Sequence, residues 1–138
     1  MPATIEDLRV VPLFRGMTDR ALEAVAALAD EVEFPGGTAV TTEGEDGDAF
    51  YMLLAGVVRV SRAGTLVGEL ASGAFIGEIS LIDGRPRTAT VVAVGPVRTL
   101  VVRRDAFLEL MDRFPAVRLG VMMALADRIR SDERAPID

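Results

Sequence analysis

Half of the 138 residues are hydrophobic, 26% are charged and the formal net charge is −6, so the chain has room for one domain with one sizeable core and carries no apolar run near the roughly 20 residues that cross a bilayer. Cysteine and histidine are absent and every basic side chain is arginine, which excludes disulfides, thiolate or Ser-His-Asp chemistry, Schiff bases and lysine-dependent phosphate loops, and restricts any metal to a hard ion held by oxygens. The acidic balance and scattered arginines would repel a phosphate backbone, so the expectations are no direct nucleic-acid partner, no membrane, no metal and no enzymatic activity, and the start of the chain, without a long apolar h-region, points to a cytoplasmic location.

The predicted elements begin with helical spacing over Ile5 to Ala29. Leu8, Val11 and Phe14 mark one short helix, and Leu22, Val25, Leu28 and Ala29 mark a second, with Thr18 placed to cap it. These N-terminal helices occupy about 4–30. From about 31 to 104 the pattern changes to short runs of Val, Leu, Phe and Thr broken by glycines, which fits about eight strands. The segment AFYMLLAGVVRVSRAGTLVGEL reads as two or three antiparallel strands turning at Ala55-Gly56 and Ala63-Gly64, as in a jelly-roll β-barrel or a related barrel. The acidic stretch TTEGEDGDAF does not follow the spacing of a calcium-binding loop and is expected to be a solvated hairpin turn.

The C-terminal helices occupy about 105–134. Asp105 is expected to cap the first, AFLELMDRF, whose Phe107, Leu108 and Leu110 read as packing residues. Pro115 opens the last, where Val117, Val121, Leu125 and Ile129 form one row with Met122 close by. That stripe is expected to pack on the barrel, with Met122, Met123 and Leu125 in the core; a dimer seam or a ligand lid is the alternative use. The whole, residues 1–138, reads as a single mainly β domain with helices at both ends.

One segment, GEISLIDGRPRTAT from Gly77 to Thr90, places a carboxylate and two guanidinium groups between apolar runs. Glu78 to Ile82 has the length of one helical turn, whose free amides, preceded by a residue without a Cβ, would admit an anion closely. Arg87 adds a charged fork to the same spot and Thr88 a hydroxyl, with Pro86 fixing the approach. A carboxylate at Glu78 would repel a bare anion, but it accepts well from sugar hydroxyls, as in dinucleotide sites. One arginine and several amides balance about one negative charge, as on a phosphodiester, better than a triphosphate. A cyclic nucleotide meets these conditions, and a structural Glu78–Arg87 ion pair is the plainer alternative. Arg85, two residues from Arg87, is expected to face water.

GEISLIDGRPRTAT resembles the phosphate-binding cassette of cyclic-nucleotide-binding domains, the family of bacterial catabolite activators and protein kinase A regulatory subunits. LRVVPLFRGMTDRAL is similar to that family's helical entry, and GEDGDAFYMLLAGVVRV to its glycine-rich barrel hairpin. The resemblance implies a jelly-roll barrel (a double-stranded β-helix) with N-terminal and C-terminal helices. It implies Arg87 as ligand of the exocyclic phosphate oxygens and Glu78 as acceptor of the ribose 2′-hydroxyl, with Gly77, Ile79, Ser80 and Thr88 giving backbone contacts. It also implies that Arg128 reaches back from the last helix towards the cassette glutamate, and that Val67 touches the base.

On that resemblance the chain is expected to be a cyclic-nucleotide sensor without a separate cofactor, cAMP being favoured and cGMP remaining open. A threonine at position 88 favours guanine in some relatives, and Asp132 or Glu133 falls near the base. The implied output is movement of the terminal helices, acting on a second copy through the C-terminal helix or on an effector protein. The competing expectation is a barrel that has lost its ligand and serves as an interaction or dimerisation module.

Overall fold

The structure is a computed structural model and describes residues 3–9, 11, 14, 16–77 and 85–134; the side chains of residues 124, 128 and 131–134 lie outside the described set. Helix α1 (Ile5–Arg9) starts at a reciprocal cap: the Asp7 amide donates to the Thr4 hydroxyl at 3.2 Å and the Thr4 amide donates to the Asp7 carboxylate at 3.4 Å. Helix α2 (Asp19–Ala27) is capped by Thr18, whose Oγ1 accepts from the Ala21 amide at 3.2 Å. Its buried residues are Leu22 and Val25; Ala29, read from the sequence as helical, instead opens the first strand.

Among the described residues there are eight strands: β1 (Ala29–Phe34), β2 (Ala39–Thr41), β3 (Ala49–Ala55), β4 (Val58–Arg62), β5 (Thr65–Leu70), β6 (Phe75–Ile76), β7 (Thr90–Ala93) and β8 (Val97–Arg103). They form two four-stranded antiparallel sheets, β1-β8-β3-β6 and β2-β7-β4-β5. This is the jelly-roll-like architecture expected from the sequence. The turn at Ala63-Gly64 joins β4 to β5 as a hairpin, with both residues at positive φ (50° and 80°) as a tight right-twisted turn requires.

The Ala55-Gly56 turn is different. Strands β3 and β4 lie in separate sheets, so these residues turn a corner between the sheets rather than closing a hairpin. The acidic segment 42–48 does the same between β2 and β3, which corrects its reading as a hairpin turn. Local turn chemistry reports where the chain bends, while strand pairing is settled by contacts far apart in sequence.

The central strands β3 and β8 are buried on both faces, which is why β3 reads as an almost unbroken apolar run. Alternation then sends consecutive residues to different cores. Phe50, Met52, Leu54, Leu100 and Val102 join the helices in one cluster, whereas Leu53, Ile76 and Val97 meet Val40, Val58, Val91 and Ala93 inside the barrel.

Two helices close the chain, α3 (Arg104–Arg113) and α4 (Pro115–Arg134). Pro115 opens α4 as expected. The N-cap of α3 is Arg103, without a side-chain cap bond; Asp105 lies inside the first turn, where Oδ1 accepts from the Ala106 amide at 2.9 Å. Phe107 and Leu110 are buried, but Leu108 is exposed. On α4 the packed row ends early: Val117 and Val121 are buried and Leu125 half-buried, while Ile129 is 60% exposed, Met122 63% and Met123 60%. The two methionines therefore lie outside the core to which the sequence reading assigned them.

Candidate functional site

Arg87 stands just before β7, held through both its backbone and its side chain. Its amide donates to Glu45 O at 2.8 Å and its carbonyl accepts from the Gly44 amide at 2.9 Å, so the acidic corner 42–48 and the segment carrying Arg87 run as a short backbone pair. Its guanidinium donates through Nη2 to Ala49 O at 2.6 Å and through Nη1 to Gly77 O at 3.0 Å. The residue is only 7% exposed. Among the described residues, two backbone carbonyls accept from the guanidinium, which lies in partly desolvated surroundings.

Gly77 is needed for this approach. It sits at φ +92°, a left-handed conformation that side-chain-bearing residues rarely adopt. A Cβ built there would run into Nη1 of Arg87, lie 2.9 Å from its Cζ and stand 3.1 Å from Ala49 O. The backbone conformation and the close approach both require glycine, at the residue that opens the cassette.

The ring of Tyr51 on β3 closes another side of the guanidinium, with Cζ of Arg87 5.8 Å from the ring centroid. Tyr51 is half-buried, pairs in register with Ile76 and Val101, and meets the edge of Phe34 at 6.1 Å between centroids. Burial pushes its phenol above the ordinary tyrosine range; the Arg87 charge pulls it back and the Asp48 carboxylate pushes it up again.

The residues expected from the sequence are thus brought together in part. Arg87 and Gly77 are in direct hydrogen-bonded contact. Thr88 follows Arg87 and is exposed, as is Arg85. Val67 is 55% exposed on the edge strand β5, at a bulge where Val60 pairs with Gly68 and Ser61 with Leu66. Glu78, Ile79 and Ser80 lie outside the described residues, so the expected Glu78–Arg87 geometry does too; the side chains of Arg128, Asp132 and Glu133 also lie outside them.

Sequence reasoning missed Ala49, Tyr51 and the backbone of Gly44 and Glu45 as parts of the site. A signal for Tyr51 was available: it is the only tyrosine of the chain, placed inside an apolar strand, and a phenol there calls for a polar neighbour.

The sequence profile described as "Cyclic nucleotide-binding domain" matches residues 31–114. The chain is 29% identical over 123 residues to a CRP-like cAMP-activated global transcriptional regulator of Mycobacterium tuberculosis, matching 86% of this chain and 55% of that protein. It is 36% identical over 107 residues to a cAMP-dependent protein kinase regulatory subunit of Yarrowia lipolytica, matching 75% of this chain and 28% of that protein. The chain therefore spans about half the length of the first relative and little more than a quarter of the second. Among solved structures, the regulatory domain of Toxoplasma gondii PKA in co-crystals with cAMP superposes with a TM-score of 0.78 at 26% identity, covering 88% of this chain and 48% of that one. Among the described residues, no helix is long and apolar enough to cross a membrane.

Proposed function

This chain belongs to the cyclic nucleotide-binding domain family, and from that membership we propose that it is a regulatory domain that binds cAMP in preference to cGMP and does not transform it. The observation that carries the reading is the buried Arg87 guanidinium, held by Gly77 O and Ala49 O at the start of the cassette. A cation fixed before the ligand arrives needs no ordering on binding, which favours capture of a single phosphodiester charge. Arg87 takes the exocyclic phosphate oxygens and Glu78 the ribose 2′-hydroxyl. Gly77, Ile79, Ser80 and Thr88 supply backbone contacts, Val67 the apolar contact to the base, and Arg128 the reach from α4 to Glu78. The names of the relatives favour adenine, and Thr88 keeps guanine as the competing base.

Calorimetric titration with cAMP and with cGMP tests this. The wild-type protein is expected to bind, cAMP more tightly, and Arg87→Met to weaken binding about 100-fold, the worth of one strong charge-assisted hydrogen bond. Glu78→Ala is expected to weaken binding of cAMP more than that of its 2′-deoxy analogue. No heat from either nucleotide at high micromolar concentration would remove the sensor reading.

The output we assign to the terminal helices. Helix α4 packs beside α3 and joins the helix-side core through Val117, Val121 and Leu125, and a ligand can shift that docking only by its differential affinity for the docked and released states. On its outer side Leu119, Met122, Ala126 and Ile129 are exposed and recur at alternating intervals of three and four residues, the spacing of a two-helix seam. This face favours a second copy of the chain as partner. Sedimentation of wild type against the double variant Met122→Glu, Ile129→Glu is expected to show a dimer turned into a monomer; a monomeric wild type would leave an effector protein as the partner.

A further inference from the structure

We infer that Tyr51 is a positioning residue for the phosphate-binding arginine, and that it is at the same time the chain's single intrinsic optical reporter of that site. The inference rests on the proposed role of Arg87 in binding phosphate. It is carried by the placement of three groups around one guanidinium. Ala49 O and Gly77 O accept from Nη2 and Nη1, which fixes the two ends of the guanidinium fork. The ring of Tyr51, with its centroid 5.8 Å from Cζ, is close enough for attraction between the cation and the aromatic face to add a third hold on its orientation.

The ring is itself fixed from several sides. β3 is paired on both edges at Tyr51, to Ile76 of β6 and to Val101 of β8. Phe34 of β1 meets the ring edge-on at an interplanar angle of 69°. Ile76 immediately precedes Gly77, so one strand pair sets both the ring and the carbonyl that accepts from Arg87. Sheet register thus determines the direction in which the guanidinium points.

The optical part follows from composition. The chain has one tyrosine and no tryptophan, so near-ultraviolet absorbance above the phenylalanine region comes from Tyr51 alone. Among the described residues, the charged groups acting on its phenol are Arg87, from the segment before β7, and Asp48, from the corner before β3; Phe34, Ile76 and Val101, which meet it from β1, β6 and β8, are uncharged. A phosphate bound to Arg87 offsets the positive charge that eases phenol ionisation, so saturation with nucleotide moves the ionisation to higher pH. By linkage, ionising Tyr51 weakens nucleotide binding to the same extent.

The test combines cAMP titration with alkaline absorbance titration of wild type, Tyr51→Phe, Tyr51→Leu, Phe34→Leu and Arg87→Met. Tyr51→Phe keeps the ring and is expected to bind within about 2-fold of wild type, whereas Tyr51→Leu loses about 3- to 30-fold. Phe34→Leu removes a ring that braces Tyr51; it is expected to lower the unfolding midpoint and to weaken binding less than Tyr51→Leu does, which separates positioning from packing. Without any nucleotide, Arg87→Met is expected to move the phenol titration to higher pH. Wild-type affinity in Tyr51→Leu, or a phenol titration unaltered in Arg87→Met, overturns the inference. A wild type that ignores cAMP and cGMP while Arg87→Met still shifts the phenol overturns the nucleotide reading and leaves the Tyr51–Arg87 coupling standing.

Discussion

Gly77→Ala perturbs the site with a single methyl group, and its effect can be worked from the geometry. The residue sits at φ +92°, where a Cβ adds about 1–2 kcal/mol of backbone strain. That term is shared by Gly37, at φ +85° with nothing within 4 Å of a built Cβ, so Gly37→Ala measures strain alone. At Gly77 the methyl also occupies the place of Nη1 of Arg87 and stands 3.1 Å from Ala49 O. The carbonyl belongs to a paired strand and yields little, whereas the guanidinium is the end of a flexible side chain and will swing away. Doing so gives up two charge-assisted bonds, each worth about 1.5–3 kcal/mol. Water recovers part of this, so Gly77→Ala is expected to be destabilised by about 2 kcal/mol more than Gly37→Ala in urea unfolding. The effect on cAMP affinity is larger, at least about 100-fold, because the displaced cation no longer faces the phosphate. The result that would refute the reasoning is a Gly77→Ala protein no less stable than Gly37→Ala that still binds cAMP like wild type.

Phe107 anchors α3, with its ring 1% exposed and 4.8 Å from that of Phe50; Phe107→Ala is expected to lose about 3–5 kcal/mol in urea unfolding, and a loss below about 1 kcal/mol would mean that α3 does not rest on this contact. The raised phenol pKa of Tyr51 gives a pH prediction. Between the ordinary tyrosine value of about 10 and its own higher value, the folded state binds more protons than the unfolded one, so stability is fully present below about pH 10 and falls as pH rises through the folded-state pKa. Urea midpoints measured across that range should show the decline in wild type and a shallower one in Tyr51→Phe; equal slopes would contradict it.

The fold was legible where a physical rule acts locally. Thr18 and Pro115 mark helix starts because cap chemistry involves only neighbouring residues, and Ala63-Gly64 marks a hairpin because positive φ is demanded at the turn itself. Ala55-Gly56 was misread because the same local signal serves a hairpin and a corner between sheets. Met122 and Met123 were misplaced because α4 carries apolar residues on most of its circumference, and periodicity alone does not say which side is covered. In the site, Arg87 and Gly77 were legible from the cassette motif. Ala49, Tyr51 and the Gly44–Glu45 backbone were not, since each meets Arg87 across a sequence separation of more than 30 residues that only strand register closes.

The consecutive residues Phe75, Ile76 and Gly77 have three destinations. Phe75 packs against the helix-side core, its ring 5.5 Å from Phe50, which in turn lies 4.8 Å from Phe107 of α3. Ile76 is buried in the barrel core, and Gly77 accepts from Arg87. A two-residue strand paired to Tyr51 and Met52 that shifts its carbonyl towards a bound phosphate also moves Phe75 against the ring that supports α3. Contiguity of this kind is not yet coupling, which requires that the helices have a second arrangement for the ring stack to favour. Among the described residues, Val117, Val121 and Leu125 pack α4 into the helix-side core and Arg118 donates to Met111 O and Asp112 O of α3, whereas Ala126 and Ile129 are exposed, so the apolar surface described as holding α4 in its docked arrangement is small. Under the proposed helix output, a displacement too small to disturb the barrel is expected to bias the helices, because two sheets brace the barrel while the described packing of α4 amounts to Val117, Val121, Leu125 and the Arg118 bonds.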